Sequence, residues 1–291
     1  MDGCMLCPRE CGAKRDSGEI GYCGMGDVMR IARIALHPFE EPPISGKNGS
    51  GTVFLCGCSL GCVFCQNKKI SRGDQVGREY TPEELAEELL GLGRMGATNI
   101  NFVTGTHFTD KIIETLKLVK HRLSIPVVWN SSGYERVEVL KKLEGLVDVY
   151  LPDMKYASSC VADKYSSAPD YAERTIEAIC EMHRQVGKYR FAEDGILRSG
   201  VVVRHLVLPS QRKDSIEVLR LLAKAVPPSE VLLSIMSQYT PDFAVDTPHK
   251  ELHRRVTRFE YDSVLDEAGR LGFDGFSQDP RSAIKDYTPD F

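Results

Sequence analysis

Long apolar runs are missing from this sequence. No stretch approaches the roughly 18 apolar residues of a membrane-spanning helix, and the opening MDGCMLCPRECGAKRD carries no apolar core of a secretory leader. A block of like charge is missing too. The 37 basic and 41 acidic residues are interspersed and sum to −4, which leaves no basic footprint for nucleic-acid phosphate. Aromatics are scarce, at 8% with a single tryptophan, yet 42% of the 291 residues are hydrophobic, enough for one large core or two modest ones. These absences predict a soluble, cytosolic protein that binds neither nucleic acid nor membrane.

Cysteine, by contrast, is abundant. Eight of the ten cysteines fall in the first 65 residues, as Cys4, Cys7, Cys11 and Cys23, then Cys56, Cys58, Cys62 and Cys65. In a reducing compartment such clusters point to metal binding or redox chemistry rather than to disulfides. Cys160 and Cys180 stand alone, and each reads as a buried structural thiol.

From residue 51 onward, short β-branched runs alternate with longer helical patterns, as in βαβ units around a parallel sheet. TVFL (52–55) reads as a strand that ends in the cysteine loop. TPEELAEELLGLGRMG opens with Thr81 as N-cap, Pro82 at the first helical position and Glu84 three residues after the cap. Further strands are expected at 99–103, 125–129, 147–151, 201–208 and 230–236, with a short one at 272–276. Six or seven parallel strands could form an open doubly wound sheet or a full or partial barrel, and in each the chemistry belongs at the carboxyl ends of the strands. Residues 1–50 differ in character, with cysteine, glycine and charge followed by HPFEEPPISGKNGSG. They read as a metal-binding segment and a connection, with 51–291 as the main domain. YTPDF occurs twice, at 239–243 and 287–291. Thr-Pro-Asp turn chemistry and coincidence account for it blandly, and the functional reading places both copies near the barrel mouth, the terminal one as a lid.

In CGCSLGCVFCQN the cysteines are not equivalent. Cys58, Cys62 and Cys65 make C-x3-C-x2-C, while Cys56 is two residues before Cys58 and is expected to point away. A structural zinc site normally takes four ligands in pairs. Three thiolates on a 4Fe-4S cluster leave one iron without a protein ligand, unlike the Cys4 sites of electron-transfer clusters. An open iron can bind a substrate or cofactor.

This triplet directly after a first strand, with Phe64 before the third cysteine, resembles the loop of the radical S-adenosylmethionine (SAM) superfamily. GCSLGCVFCQN is similar to the cluster loop of pyruvate formate-lyase activating enzymes, and CPRECG with GEIGYCG resembles their PflX-type homologues. The resemblance implies an α/β fold, a partial (β/α)6 barrel with a small cysteine-rich N-terminal segment. It also implies a [4Fe-4S] cluster on Cys58, Cys62 and Cys65, where SAM chelates the open iron and is cleaved reductively to a 5'-deoxyadenosyl radical that abstracts a hydrogen atom. Phe64 would lie against the adenine. NFVTGTHFTD stands at the family's glycine-rich turn but departs from GGEP, which makes Gly105, Thr106 and His107 candidates. His107 is open between a substrate or acid/base role and a structural one. NSSGY offers Asn130 and Ser131 for the SAM ribose, carboxylate or a nearby cation. LPDMKY offers Asp153 and Lys155, and VVVRHLVLP offers Arg204, near the SAM carboxylate, with His205 on the opposite face.

Other features carry less. HKELH has zincin-like spacing at His249 and His253 but lacks a glutamate beside the first histidine, so it reads as a solvated helix face. Trp129 reads as core or pocket wall. Cys4, Cys7, Cys11 and Cys23 suit either a closed zinc site or a fully ligated auxiliary iron-sulfur cluster. The resemblance implies a reduced flavodoxin or ferredoxin as electron donor. It suggests activation of a glycyl radical enzyme, with a small-molecule or peptide substrate also open. The competing class is a non-catalytic zinc-binding adaptor that uses both cysteine sets.

Overall fold

A computed structural model describes residues 3–72 and 76–278. The elements in chain order are β1 (Met29–His37), α1 (Pro42–Ser45), β2 (Ser50–Leu55), α2 (Lys68–Ser71), β3 (Arg78–Tyr80), α3 (Pro82–Arg94), β4 (Ile100–Val103) and α4 (Thr109–Val119). They continue with β5 (Val127–Ser131), α5 (Val137–Leu140), β6 (Val149–Pro152), α6 (Ser159–Ser166), α7 (Tyr171–Val186), β7 (Arg190–Phe191) and β8 (Leu197–Leu206). The last are α8 (Arg212–Ala225), β9 (Leu232–Met236), α9 (Arg258–Leu271) and β10 (Asp274–Ser277).

The strand order is β10-β9-β8-β6-β5-β4-β2-β1-β3, with β7 set against β8. Every neighbour from β2 to β10 along this path is parallel. The order does not return on itself, so among the described residues this α/β fold is a partial barrel with a mostly parallel sheet. Parallel pairing demands crossovers, and helices supply them, their apolar faces covering the sheet. The main core is built this way, with Leu85, Leu89, Ile112, Leu116, Val218 and Leu222 packed against strand residues such as Val53, Phe102 and Val203. Helix α3 starts where the sequence predicts. Thr81 and Glu84 form a complete capping box, with Pro82 at the first helical position.

All the expected strands are present, with boundaries shifted by at most four residues. One element is additional. Residues 29–37, expected to belong to the N-terminal segment and its connection, form β1, which pairs antiparallel with β2 and β3. Its alternation is hidden by two arginines, Arg30 and Arg33, that sit between its apolar positions. Cys160, expected to be buried, is exposed near the start of α6. Cys180 is half-buried on α7. The 287–291 copy of YTPDF lies outside the described residues. Among those residues, no helix is long and apolar enough to cross a membrane.

Candidate active site

The cysteine loop begins where β2 ends. Two of its glycines are required by geometry. Gly57 has φ +85°, and a Cβ there would stand 2.5 Å from Met25 Cγ and 2.8 Å from Cys23 O. Gly61 has φ +68°, and its added Cβ would collide with the Arg72 guanidinium. The left-handed turn disfavours a side chain at both positions, and at Gly57 the backbone of Cys23 excludes one as well. The N-terminal segment is the surface against which the loop is folded: Cys58 N–H donates to Cys23 O at 3.1 Å.

Arg9 fixes the same loop from that segment. Its guanidinium donates to Ser59 O (2.9 Å), Leu60 O (3.2 Å) and Ser166 O (2.7 Å), and also to Ser167 O. The Tyr22 ring lies 4.2 Å from its carbon. A rigid fork is suited to several carbonyls at once, where an ammonium is not. Arg9→Ala is expected to lower unfolding free energy by at least about 2 kcal/mol, the scale of a charge-assisted hydrogen-bond set, and to reduce iron retained per chain. Arg9→Lys should recover less than half. Anaerobic denaturant titration and iron analysis test this, and a variant with unchanged stability and iron content would remove Arg9 from the account.

The loop and the strand ends enclose a cavity of about 170 Å³. Cys58, Cys62 and Cys65 line it, with Phe64, Asn130, Ser131, Asp153, Lys155 and Arg204. Thus nine of the residues expected from sequence come together, from the β2 loop and from the ends of β5, β6 and β8. Leu60 and Gly61 N–H groups donate to Cys58 Sγ at 3.3 and 3.5 Å, and the Ser71 hydroxyl to Cys65 Sγ at 3.5 Å. Burial raises the Cys62 thiol, and the Lys155 ammonium pulls it partly back. Burial, then the charges of Cys62 and Cys58, push Cys65 up to about 12. Cys56 is turned out of the cavity. It is 2% exposed, and its thiol donates to Val76 O at 3.1 Å.

Beneath the loop lies an aromatic floor. Phe64 meets Tyr165 and Tyr239 edge to face, and Tyr134, Tyr156 and Tyr171 continue the cluster. Much of the chain's small aromatic content is placed here, with Tyr239 and Phe243 of the first YTPDF in the cavity wall.

Opposite the cysteines is a buried ion network. Arg204 Nε donates to Asp153 Oδ1 (3.0 Å), Nη1 to Glu40 Oε2 (3.3 Å) and Nη2 to Asn130 Oδ1 (2.5 Å). Lys155 donates to the other Asp153 oxygen. Asn101 and Asn130 amides donate to Glu40 Oε1 at 3.0 and 3.3 Å. Burial would raise the Asp153 carboxyl, but Lys155 and Arg204 overcome it and hold the group below its usual range. For Glu40 burial wins over Arg204, and its carboxyl is pushed up to about 7. Glu40 was not legible as a site residue, because it follows β1, a strand that the sequence did not reveal.

Gly105, Thr106 and His107 are placed otherwise than expected. None lines the cavity; Val103 and Thr104 form its wall there, with Thr104 at φ +61°. The Gly105 position is packed on Trp129, whose ring a Cβ would meet at 2.8 Å. The Thr106 hydroxyl donates to Glu135 Oε1 (2.8 Å), and His107 Nε2–H to Cys56 O (2.7 Å). Burial lowers His107 to about 4, so it is a neutral structural donor behind the loop. His205 faces away as expected, its Nδ1–H on Met154 O at 2.6 Å. Trp129 is wholly buried, and His249 packs on the edge of Tyr165.

The four N-terminal cysteines share one neighbourhood. Cys11 Sγ and Cys23 Sγ both approach the Gly21 position, at 3.4 and 3.6 Å from an added Cβ, and Cys7 lies close enough to feel Cys23 and Cys4. Among the described residues, however, no three His, Cys, Asp or Glu side chains converge as a single metal ion requires. The donor set of the central loop suits a larger group. A four-iron cube holds its cysteine sulfurs farther apart than one ion does, and N–H and O–H donors to sulfur favour the thiolates it needs.

The sequence profile of the radical SAM superfamily matches residues 52–222. The chain belongs to the radical SAM superfamily. Membership implies a [4Fe-4S] cluster, SAM and a source of reducing electrons. The chain is 29% identical over 279 residues to the uncharacterized protein MJ0674 of Methanocaldococcus jannaschii, covering 93% of this chain and 75% of that one. Among solved structures it resembles a radical SAM methyltransferase from Sphaerobacter thermophilus, at TM-score 0.53 and 14% identity, over 79% of this chain and 66% of that chain. It also resembles SuiB of Streptococcus suis bound to its precursor peptide SuiA, at TM-score 0.52 and 11% identity, over 76% of this chain and 46% of SuiB. The chain thus spans just under two-thirds of the first and less than half of the second, and these likenesses concern the radical SAM fold.

Proposed function

We propose that Cys58, Cys62 and Cys65 hold the [4Fe-4S] cluster and that the cavity beside them binds SAM. The observation that carries this is the inequality of the four loop cysteines: three line one cavity while Cys56 is bonded to Val76 on its far side. When bound, the reduced cluster would supply one electron to the sulfonium of SAM, the chemistry of reductive cleavage to methionine and a hydrogen-abstracting 5'-deoxyadenosyl radical.

The chain's own residues bind, orient and shield. Phe64 and Tyr239 offer aromatic surface for the adenine. Asn130, Ser131 and Arg204 present donors for the ribose and carboxylate, and Asp153 accepts from Lys155 and Arg204 so that both cations stay fixed. The buried ion network holds its charges in place before any ligand arrives, which lowers the cost of organising the site.

The reductant is a flavodoxin or ferredoxin. The substrate is a glycyl radical enzyme, as the resemblance to pyruvate formate-lyase activating enzymes suggests, or a small molecule or peptide. A second cavity of about 480 Å³ adjoins the first, sharing Asn130, Arg204 and Gln238, and its size favours a small molecule or a single side chain over a folded surface. Cys4, Cys7, Cys11 and Cys23 share one neighbourhood without converging as a single ion requires, and we offer them as a second site that would take an auxiliary iron-sulfur cluster, or zinc once the thiols close around it, stabilising the segment on which the loop is folded.

After anaerobic reconstitution the protein is expected to be brown and to release 5'-deoxyadenosine from SAM under dithionite. A colourless protein with stoichiometric zinc and no such product would replace this reading with a zinc-binding adaptor.

A further inference from the structure

The second cavity lies between the end of β1, the turn into α1 and the last strands. Its charged lining residues, apart from His37, are Glu40, Glu41 and Arg204. Burial lowers His37, with Arg33 acting in the same direction, so the imidazole is neutral near pH 7. Arg204 is committed to Asp153, Glu40 and Asn130, and both Glu40 oxygens have donors. Glu41 differs. It is nine-tenths buried, it lines the cavity, and its Oε2 has no hydrogen-bond partner. A buried carboxylate oxygen without a hydrogen-bond donor is costly, because it has given up its hydration for no partner, and although the Arg204 cation acts on it from nearby, it donates no hydrogen bond to it. Such a group is retained where a ligand supplies the missing donor.

We infer that this cavity is the substrate chamber and that Glu41 receives an ammonium or guanidinium group of the substrate. The chamber's remaining character agrees. Its two acidic groups outnumber its one cation, so an anionic end would face an unbalanced carboxylate. Phe39, Phe54 and Phe276 provide aromatic walls, a surface that favours an organic cation over a bare anion. Gln238 and Asn130 lie where this chamber meets the SAM cavity, so a substrate anchored at Glu41 would extend its other end toward the cofactor. Glu41 is then a specificity-determining residue, supplied by the segment before the barrel proper.

The inference rests on the radical SAM reading only for calling the ligand a substrate. Crystals of the reconstituted protein soaked in caesium chloride, and separately in sodium bromide, test the sign of the site. Caesium, an X-ray-visible stand-in for alkylammonium, is expected at the Glu41 carboxylate, with at least a tenfold lower occupancy in a Glu41→Gln variant of unchanged melting temperature. Adding 1,5-diaminopentane should displace it, and glutarate of the same chain length should not. Bromide at the site, no caesium in the wild type, undiminished caesium in Glu41→Gln, or displacement by glutarate instead of the diamine would each overturn the assignment. Should Glu41→Gln fold poorly, the wild-type soaks and displacement decide alone. Release of 5'-deoxyadenosine is measured separately, so loss of SAM cleavage with caesium bound would sink the radical reading and leave the cation site standing.

Discussion

Alanine at Cys58, Cys62 or Cys65 is expected to abolish SAM cleavage, by at least a hundredfold in each case, while Cys56→Ala retains most of it. The three cavity cysteines are not redundant. A cluster held by three thiolates already lacks a fourth, and losing one more leaves two irons without protein ligands. Nor can Cys56 substitute. Its thiol is 2% exposed and bonded to Val76 O, while its backbone N–H donates to Arg30 O within the hairpin of β1 and β2. To reach the cavity it would have to break the pairing that anchors the loop. Removing its thiol costs about 1 kcal/mol for one hydrogen bond, which lowers stability without touching the cluster. Iron and sulfide analysis, the visible absorption of the reconstituted protein and 5'-deoxyadenosine yield all report on this. A Cys56→Ala protein devoid of iron would show that the ligand triplet has been drawn wrongly.

This prediction was available from spacing, whereas the reason behind it was not. The sequence shows that Cys58, Cys62 and Cys65 have the C-x3-C-x2-C spacing, although an unbroken strand would carry Cys56 and Cys58 on one face and it is the left-handed turn at Gly57 that parts them. It does not show that Gly57 must be glycine because Met25 and Cys23 crowd it, since that contact crosses more than thirty residues. The strands were legible because buried parallel strands are continuous β-branched runs bounded by helices. β1 escaped because an antiparallel strand interrupted by arginines has no such run. Asp153, Lys155, Asn130 and Arg204 were offered by the resemblance, and their places in or just after strands, where ligand chemistry collects, agree with it. Gly105, Thr106 and His107 satisfied the same rule and still fell outside the cavity. The turn after β4 tightens at Thr104, and the three residues that follow pack down on Trp129, Glu135 and Cys56 instead. Glu40 and Glu41 had no positional signal, because a loop before the first barrel strand joins the site only through the fold.

Arg204→Ala is expected to be the most destabilising change outside the cysteines, and its cost should depend on pH. Arg204 joins buried Asn130 to Glu40 and Asp153, whose side chains are only 9% and 13% exposed, and breaking a buried ion network from one side typically costs about 3–5 kcal/mol because charges are left uncompensated. The two carboxylates respond differently. Asp153 keeps Lys155 and remains ionised. Glu40 keeps only amide donors, and its carboxyl already stands at about 7 with Arg204 present. A carboxyl raised on folding contributes stability that is full below its unfolded value near 4.3 and is lost as pH rises through the folded value. Without Arg204 the folded value moves higher still, so neutral Glu40 is favoured over a wider range. The variant should therefore lose less stability at pH 5.5 than at pH 8, and Glu40→Gln added to Arg204→Ala should restore part of the loss at pH 8 only. Arg204→Lys should not rescue it, since one ammonium cannot reach three acceptors in the fork geometry that the guanidinium spans. SAM affinity of the reconstituted protein should fall at least tenfold in both single variants. Urea titrations at the two pH values separate the possibilities: an equal loss at both would mean that Glu40 is not the group left exposed, and that the cost of removing Arg204 comes from packing and from Asn130 rather than from an unpaired acid.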